Sequence, residues 1–162
     1  MSVQPYSIFS TINTTKAIDA PVSTVWPVLR AMDEWNTFSE VFDIAFKKGD
    51  RVVEVGQKII IMSPQLPVNT VEQYDEIIEE SRICWTLRGF QLLGLGSPPV
   101  LSPPIILRTQ RCIELFDDGS GGTILHNWIS YAGLGWPFIC LIFGMLNKSV
   151  FNEFNSELAA QF

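Results

Sequence analysis

Four polar residues in the last third of the sequence have side chains that could do chemistry in an apolar setting. His126 is the only histidine of the chain, and its imidazole is the natural acid or base near neutral pH. Arg111 shares a predicted strand face with Ile113, which places a guanidinium among apolar side chains. Asn127 and Tyr131 could donate hydrogen bonds that orient a ligand or stabilise a developing enolate oxygen. These four polar residues are therefore the candidate catalytic residues.

The directions of these side chains follow from strand alternation. Successive side chains of a strand point to opposite faces, so Asn127 and Tyr131 share one face and His126 lies on the other. A β-bulge would reverse the direction of His126. The guanidinium of Arg111 needs a partner, and the sequence leaves two alternatives open. It is either an internal carboxylate such as Glu72 or a ligand that carries a negative charge or a carbonyl group.

Several kinds of chemistry lack the residues that they need. The sequence has no G-x-S-x-G motif, and a single histidine leaves few ways to activate a serine or cysteine nucleophile. Metal ligands do not occur at usable spacing, and the segment Gly94 to Gly96 lacks the third glycine of a nucleotide-binding loop. The net charge of −6, without a basic cluster, argues against a nucleic-acid partner. We expect neither a metal nor a cofactor.

The elements that must position the candidate residues follow from sequence periodicity. Pro21 opens a predicted short helix over 21–31, and apolar residues at intervals of three or four predict a second short helix over 35–42. A face of apolar residues predicts a long C-terminal helix over 136–162. Alternating or β-branched patterns predict strands over 7–18, 44–46, 58–62, 68–78, 82–88, 105–116 and 123–132, with a turn at 117–122.

This order of elements predicts one α+β domain over residues 1–162. Consecutive strands with short turns make an antiparallel sheet, and the terminal helix must cover its apolar face. Charged residues make up 17% of the chain, against about 25% in an average globular domain. Some apolar surface must therefore face something other than water, such as a cavity.

An apolar segment over 89–104, rich in glycine and proline, is predicted to be a loop. Its apolar side chains would be costly in water, at about 25 cal/mol per Å². The loop therefore either covers a pocket, or packs on the core or on a second copy of the chain in a homodimer. Aromatic, leucine and methionine side chains would line such a pocket or fill an ordinary core. The candidate lining residues are Trp35, Phe38, Phe42, Trp85, Phe90, Leu93, Leu101, Phe138, Leu141 and Met145.

The cysteines and the apolar runs help to predict the cellular compartment of the protein. Cys84, Cys112 and Cys140 are odd in number and widely spaced, which predicts three buried thiols. The N-terminus has no apparent secretory signal, and the most apolar run, 134–146, is shorter than the roughly twenty residues of a membrane span. We therefore predict a cytoplasmic protein without a transmembrane segment.

Segments distributed along the sequence resemble one superfamily. Residues 18–26, followed by Trp35-Asn36, resemble the opening of the START/Bet v 1-like (SRPBCC) superfamily in its polyketide cyclase/dehydrase branch. Further matches lie at 83–85, at Arg108 and Arg111 before 113–115, and at 121–123 before 131–134. The resemblance implies the helix-grip fold, a seven-stranded curved antiparallel sheet around a long C-terminal helix. It also implies two short helices between the first two strands and a cavity under the sheet.

The resemblance implies a range of functions. Members bind lipids, sterols, hormones or polyketides, and some cyclise or dehydrate them whereas others only carry them. In the family pattern Asn127 and Tyr131 face the cavity and His126 points outward. Ile129 and Ser130 replace the acidic residues that often stand before the final aromatic, so carboxylate chemistry is not expected there.

Our leading hypothesis is a cofactor-independent cyclase or dehydratase of secondary metabolism that acts on an apolar polyketide or terpenoid. The alternatives are a non-catalytic carrier or receptor for a lipid-like ligand, and a module that docks on a protein or membrane.

Overall fold

The computed structural model describes residues 5–6, 10–46, 53–63, 68–92, 100–101 and 105–162. In this part of the chain there are eight strands, two α-helices and one 3₁₀ helix, which confirms the α+β class. The helices are α1 (Val22–Arg30), the 3₁₀ helix (Met32–Thr37) and α2 (Trp136–Ala159). The strands are β1 (Thr11–Ile18), β2 (Asp43–Phe46), β3 (Lys58–Met62), β4 (Val68–Ile78), β5 (Arg82–Leu92), β6 (Val100–Leu101), β7 (Arg108–Asp117) and β8 (Thr123–Ala132).

The described strands form one antiparallel sheet in the order β1-β8-β7-β5-β4-β3-β2, with β6 pairing to β5. Strand β5 is long enough to have two partners along the same edge. Its first half pairs with β7, and Gly89 and Phe90 near its end pair with β6. The predicted count of seven strands therefore differs from the eight observed, because the two-residue β6 was not foreseen.

The predicted loop over 89–104 begins later than expected. Residues 89–92 continue β5, where Phe90 pairs with Thr70 of β4 on one side and with Val100 of β6 on the other. Backbone pairing on both sides holds the strand despite Gly89, which sequence rules treat as a breaker. Leu93 lies outside the described residues, and for Leu101 the structure describes only its backbone pairing.

The two short helices lie between β1 and β2, as the resemblance implies, but the second differs from its predicted position. It is a 3₁₀ helix over Met32–Thr37 and ends before most of the predicted 35–42 segment. Its buried residues, Met32 and Trp35, are three apart. That spacing matches the three residues per turn of a 3₁₀ helix, so both side chains reach the core from one face.

Helix α2 packs against β1 and β8 and closes the inner side of the sheet. Its C-terminal half buries Val150, Phe151, Phe154 and Leu158. Phe154 packs against Trp35 in a tilted arrangement, with ring centroids 4.6 Å apart, so the 3₁₀ helix and α2 share one core. This packing places the 3₁₀ helix against the C-terminal half of α2.

The outer face of the sheet carries a disulfide between Cys84 of β5 and Cys112 of β7. The two residues are direct partners in the antiparallel register, with Cα atoms 4.1 Å apart, and they pack with Trp128. The prediction of three thiols is wrong for this pair, and Cys140 is the free cysteine. The pair was not predictable from spacing, because it depends on β7 returning beside β5. Disulfides persist mainly in oxidising compartments, so the cysteines no longer support a cytoplasmic location.

Candidate ligand cavity

A cavity lies between the inner face of the sheet and α2. The cavity and its open mouth together contain about 700 Å³ of space that no atom fills. Within it, the centre of a water molecule can take positions over about 100 Å³. That is room for several water molecules or for a small organic ligand. Most of the lining side chains are apolar. The lining residues are Phe42, Ile61, Thr70, Glu72, Leu87, Phe90, Leu107, Thr109, Arg111, Ile129, Tyr131, Ile139, Asn147 and Phe151.

The strand register brings the polar lining residues to one face of the sheet. Arg111 of β7 stands between Trp85 of β5 and Ile129 of β8. Glu72 of β4 pairs with Leu87 of β5, two residues beyond Trp85. A register shift after Leu87 leaves one extra residue in β5. Such a bulge reverses the alternation beyond it, which accounts for Phe90 lining the cavity along with Leu87.

Arg111 is the most unusual residue of the cavity, because its charged side chain is only 4% exposed. Three aromatic rings surround its guanidinium, with the central carbon 4.3 Å from the ring centroid of Phe151, 4.5 Å from Phe42 and 5.1 Å from Trp85. Burial lowers the pKa of Arg111 to about 10, although nearby Glu72 acts in the opposite direction. The guanidinium therefore still carries its charge at neutral pH.

Two side-chain nitrogens of Arg111 make no hydrogen bond to the described part of the chain. These atoms are Nε and Nη2, and both are buried. No described carboxylate oxygen lies within 4.0 Å of the guanidinium either. The sequence left two partners open for this side chain. A direct ion pair with Glu72 is not formed, and contact with a ligand stays a prediction.

Glu72 is a buried carboxyl that faces the same cavity. Its Oε1 accepts a hydrogen bond from Thr70 Oγ1 at 2.8 Å. Burial raises the pKa of Glu72, and the charge of Arg111 and the hydrogen bond from Thr70 only partly oppose this effect. A carboxyl with a raised pKa can hold a proton closer to neutral pH, and so can donate one.

Tyr131 adds a second polar group to the lining. Its hydroxyl accepts a hydrogen bond from Asn147 Nδ2 of α2 at 2.5 Å. Burial raises the pKa of Tyr131 above its usual range, so the phenol stays neutral. The hydroxyl proton remains available for a ligand oxygen, since the Asn147 amide uses only an acceptor site of the phenol.

The other two candidate catalytic residues lie elsewhere. His126 points to the outer face, as the family resemblance implies, and its Nδ1 is 3.0 Å from Glu114 Oε2. Asn127 is on the inner face but does not line the cavity. Its Nδ2 donates to Asn155 Oδ1 of α2 at 3.3 Å, and Asn155 in turn donates to Thr14 of β1. Asn127 therefore ties the helix to the sheet.

The predicted lining residues divide between cavity and core. Phe42 and Phe90 line the cavity. Trp35 is fully buried in the core, where its indole N–H donates to the Leu29 carbonyl at 3.1 Å. Phe38 packs against the same core. Trp85 is fully buried behind the cavity wall and contacts it through Arg111.

The three lining residues predicted on α2 point the wrong way. Phe138, Leu141 and Met145 are 70%, 78% and 84% exposed, so they lie on the solvent face of the helix. The cavity is lined instead by Ile139, Asn147 and Phe151.

The first half of α2 is apolar on all sides, and its own pattern could not reveal which face is buried. The second half of α2 does indicate the exposed face, because it carries an exposed polar stripe. Steps of three or four residues from this stripe toward the start of the helix reach Met145, Leu141 and Phe138. That stripe comprises Lys148, Asn152 and Ser156.

Two kinds of feature are absent from the described residues. They contain no group of three or more His, Cys, Asp or Glu side chains placed to hold a metal ion. None of their helices is both long enough and apolar enough to cross a bilayer.

The fold is shared with several solved structures. A protein from Nitrosospira multiformis is 17% identical, with a TM-score of 0.67, over 94% of this chain and 95% of its own. DynU16, from the dynemicin biosynthetic locus, is 15% identical with a TM-score of 0.64, over 93% of this chain and 46% of its own. Ara h 8.0201 is 11% identical with a TM-score of 0.59, over 93% and 97%. No protein-family model and no curated protein sequence matches the chain.

These likenesses define the class of protein by its fold alone. An antiparallel sheet closed by a long C-terminal helix, with two short helices after the first strand, is the helix-grip arrangement that the resemblance implies. Identities of 17% or less do not carry an activity from one protein to another. What the protein does must be argued from its own cavity.

Proposed function

We propose that this protein binds an apolar, oxygen-bearing small molecule in its cavity and promotes the cyclisation or dehydration of that molecule. The observation that carries the proposal is the buried guanidinium of Arg111 in a mostly apolar cavity, with two N–H groups that no described protein atom accepts. Ligand sites are typically apolar with a few convergent polar groups. The resemblance to polyketide cyclases and the dynemicin-locus neighbour agree with such a substrate.

The polar residues suggest how a ring closure would proceed. Arg111 would stabilise negative charge on a substrate oxygen, as donors of an oxyanion hole do. Glu72, with its raised pKa, would give a proton to the carbonyl oxygen as the new carbon–carbon bond forms. The resulting carboxylate would take up the proton that the attacking carbon loses, so the enzyme ends unchanged. The apolar walls would hold the chain in a folded conformation, which itself accelerates an intramolecular reaction.

A carrier or receptor without catalysis is the second candidate. It is favoured by the positions of His126 and Asn127, which lie outside the cavity lining and leave few groups able to move protons. In that function Arg111 and Tyr131 would only orient the bound molecule.

The test compares binding with turnover. The protein would be incubated with linear poly-β-carbonyl esters and acyclic terpenoids, with ligand binding followed by calorimetry and products by mass spectrometry. The proposal predicts ring closure or water loss faster than the spontaneous rate. Glu72→Gln should reduce that rate by about 10²-fold or more, because a general acid typically contributes this much.

The exposed Glu34 offers a matched control, since Glu34→Gln makes the same change far from the lining residues. It should leave the rate unchanged. Binding without any acceleration across the set would support the carrier and contradict the cyclase. Failure of every compound to bind would contradict both functions.

A further inference from the structure

We infer that the ligand of this cavity carries a carboxylate, which Arg111 binds through two parallel hydrogen bonds from Nε and Nη2. The inference rests on the proposed function, because it names the chemical group of the molecule bound in the same cavity. It does not depend on whether that molecule is transformed or only carried.

The two unpartnered nitrogens of Arg111 belong to the same edge of the guanidinium. Nε and Nη2 each direct an N–H bond outward from that edge, and the two bonds are nearly parallel. This fork matches the two oxygens of a carboxylate, and the bidentate pair is stronger and more specific than a single hydrogen bond. Among the described residues, neither nitrogen has an acceptor. Arg111 lines the cavity, and this buried edge of its guanidinium has no protein acceptor among the described residues.

Aromatic packing holds this fork in place. The rings of Phe42, Phe151 and Trp85 all lie within 5.1 Å of the guanidinium carbon. Cation–π contacts of this kind stabilise a buried charge, but they supply no hydrogen-bond acceptor. Burying charged donors without acceptors costs free energy, which an arriving ligand oxygen would recover.

The charge of the cavity favours a single negative charge on the ligand. Among the described lining residues, Arg111 is the only basic side chain and Glu72 the only acidic one. One oxygen of Glu72 accepts from Thr70, and its carboxylate does not pair directly with the guanidinium. A carboxylate would be balanced by Arg111 alone. A phosphate monoester would bring a second charge for which the lining has no second cation.

The experiment uses matched ligands that differ only in the head group. Straight-chain acids from butanoic to dodecanoic acid would be titrated by calorimetry at neutral pH, beside the methyl ester, primary alcohol and alkyl phosphate of each length. The best-fitting acid should bind about 10- to 100-fold more tightly than its ester, as expected for hydrogen bonds to a charged group. Carbon-13 spectra of the labelled acid should show its carboxylate ionised to lower pH when bound than when free.

Variants assign the preference to the fork. Arg111→Met fills similar space between the rings without a charge and should remove the preference for the acid. Arg111→Lys keeps the charge but loses the fork, so it should weaken the preference even if the methionine variant fails to fold. Arg108→Met is the matched control, because Arg108 is exposed on the same strand and does not line the cavity. That control should bind the acid as the wild type does.

Several outcomes would overturn the inference. Equal binding of acids and esters, binding of esters or alcohols without acids, or tighter binding of the phosphates would each sink the carboxylate and leave the proposed function standing. Retention of the acid preference in Arg111→Met would also oppose it. Failure of all four series to bind would count against the inference and the proposed function together.

Discussion

At the residue scale, the chemistry of the cavity depends on two buried ionisable side chains that line it without forming a direct ion pair. Arg111 keeps a positive charge among aromatic rings, and burial raises the pKa of Glu72. The sequence singled out Arg111 from its position among apolar neighbours and named Glu72 as an alternative partner. It could not show that the pairing is incomplete, because the distance between β4 and β7 depends on how β5 runs between them.

The raised pKa of Glu72 should be visible in the stability of the protein. The folded state holds this proton more tightly than the unfolded chain, in which a glutamate titrates near pH ~4.3. The associated stability is therefore fully present below that pH and is lost as pH rises through the folded-state pKa. Glu72→Gln should remove this loss, so its free energy of unfolding should fall less than that of the wild type between mildly acidic and neutral pH.

Urea denaturation across that pH range would measure the difference. Glu34→Gln should keep the wild-type pH dependence, because Glu34 is exposed. If the free energy of unfolding depends on pH in the same way for the wild type and for Glu72→Gln, folding does not raise the pKa of Glu72.

At the element scale, α2 presents two apolar faces of which only one is buried. Its cavity face carries Ile139 and Phe151, whereas its solvent face carries Leu141 and Met145. Hydrophobic periodicity predicted the helix correctly because it depends on spacing alone. The choice between the two faces depends on where β1 and β8 lie, which the helix sequence does not encode.

Two aspartate substitutions on α2 would test this orientation. Ile139→Asp places a charge in the cavity wall and should lower the free energy of unfolding by about 2 kcal/mol or more, besides weakening ligand binding. Leu141→Asp, two residues later on the exposed face, should change stability by less than about 0.5 kcal/mol. Urea denaturation of both variants provides the measurement. Comparable destabilisation by the two would place Leu141 inside the fold.

At the scale of the whole molecule, a cross-strand disulfide joins the centre of the sheet from its outer face. Cys84 and Cys112 are 28 residues apart in sequence, and the intervening chain includes β6 and the apolar segment before β7. A covalent link across such a loop mainly restricts the unfolded chain. The disulfide lies beside two residues of the cavity region, because Trp85 follows Cys84 and Arg111 precedes Cys112 in sequence.

Removal of the disulfide should lower the stability of the whole domain. The double variant Cys84→Ala/Cys112→Ala is expected to lose about 3.6 kcal/mol of unfolding free energy, the value that chain entropy gives for a loop of this size. Equilibrium unfolding with and without a reductant would measure the effect. The reductant should destabilise the wild type and leave the double variant unchanged, whereas equal behaviour of the two would show that the bond does not form. Cys140→Ala serves as the control for loss of a free thiol.

The sequence by itself determined the class of the fold, most strand and helix positions, and that His126 lies on the opposite strand face from Asn127 and Tyr131. These properties depend on local periodicity and strand parity, which neighbouring residues along the chain are enough to define. Only the tertiary structure decided that Cys84 meets Cys112, that Asn127 binds Asn155, and that Ile139 replaces Phe138 at the cavity. It also decided that Nε and Nη2 of Arg111 have no acceptor among the described residues. Each of these depends on the register and distance between elements far apart in sequence, and local patterns carry no information about either.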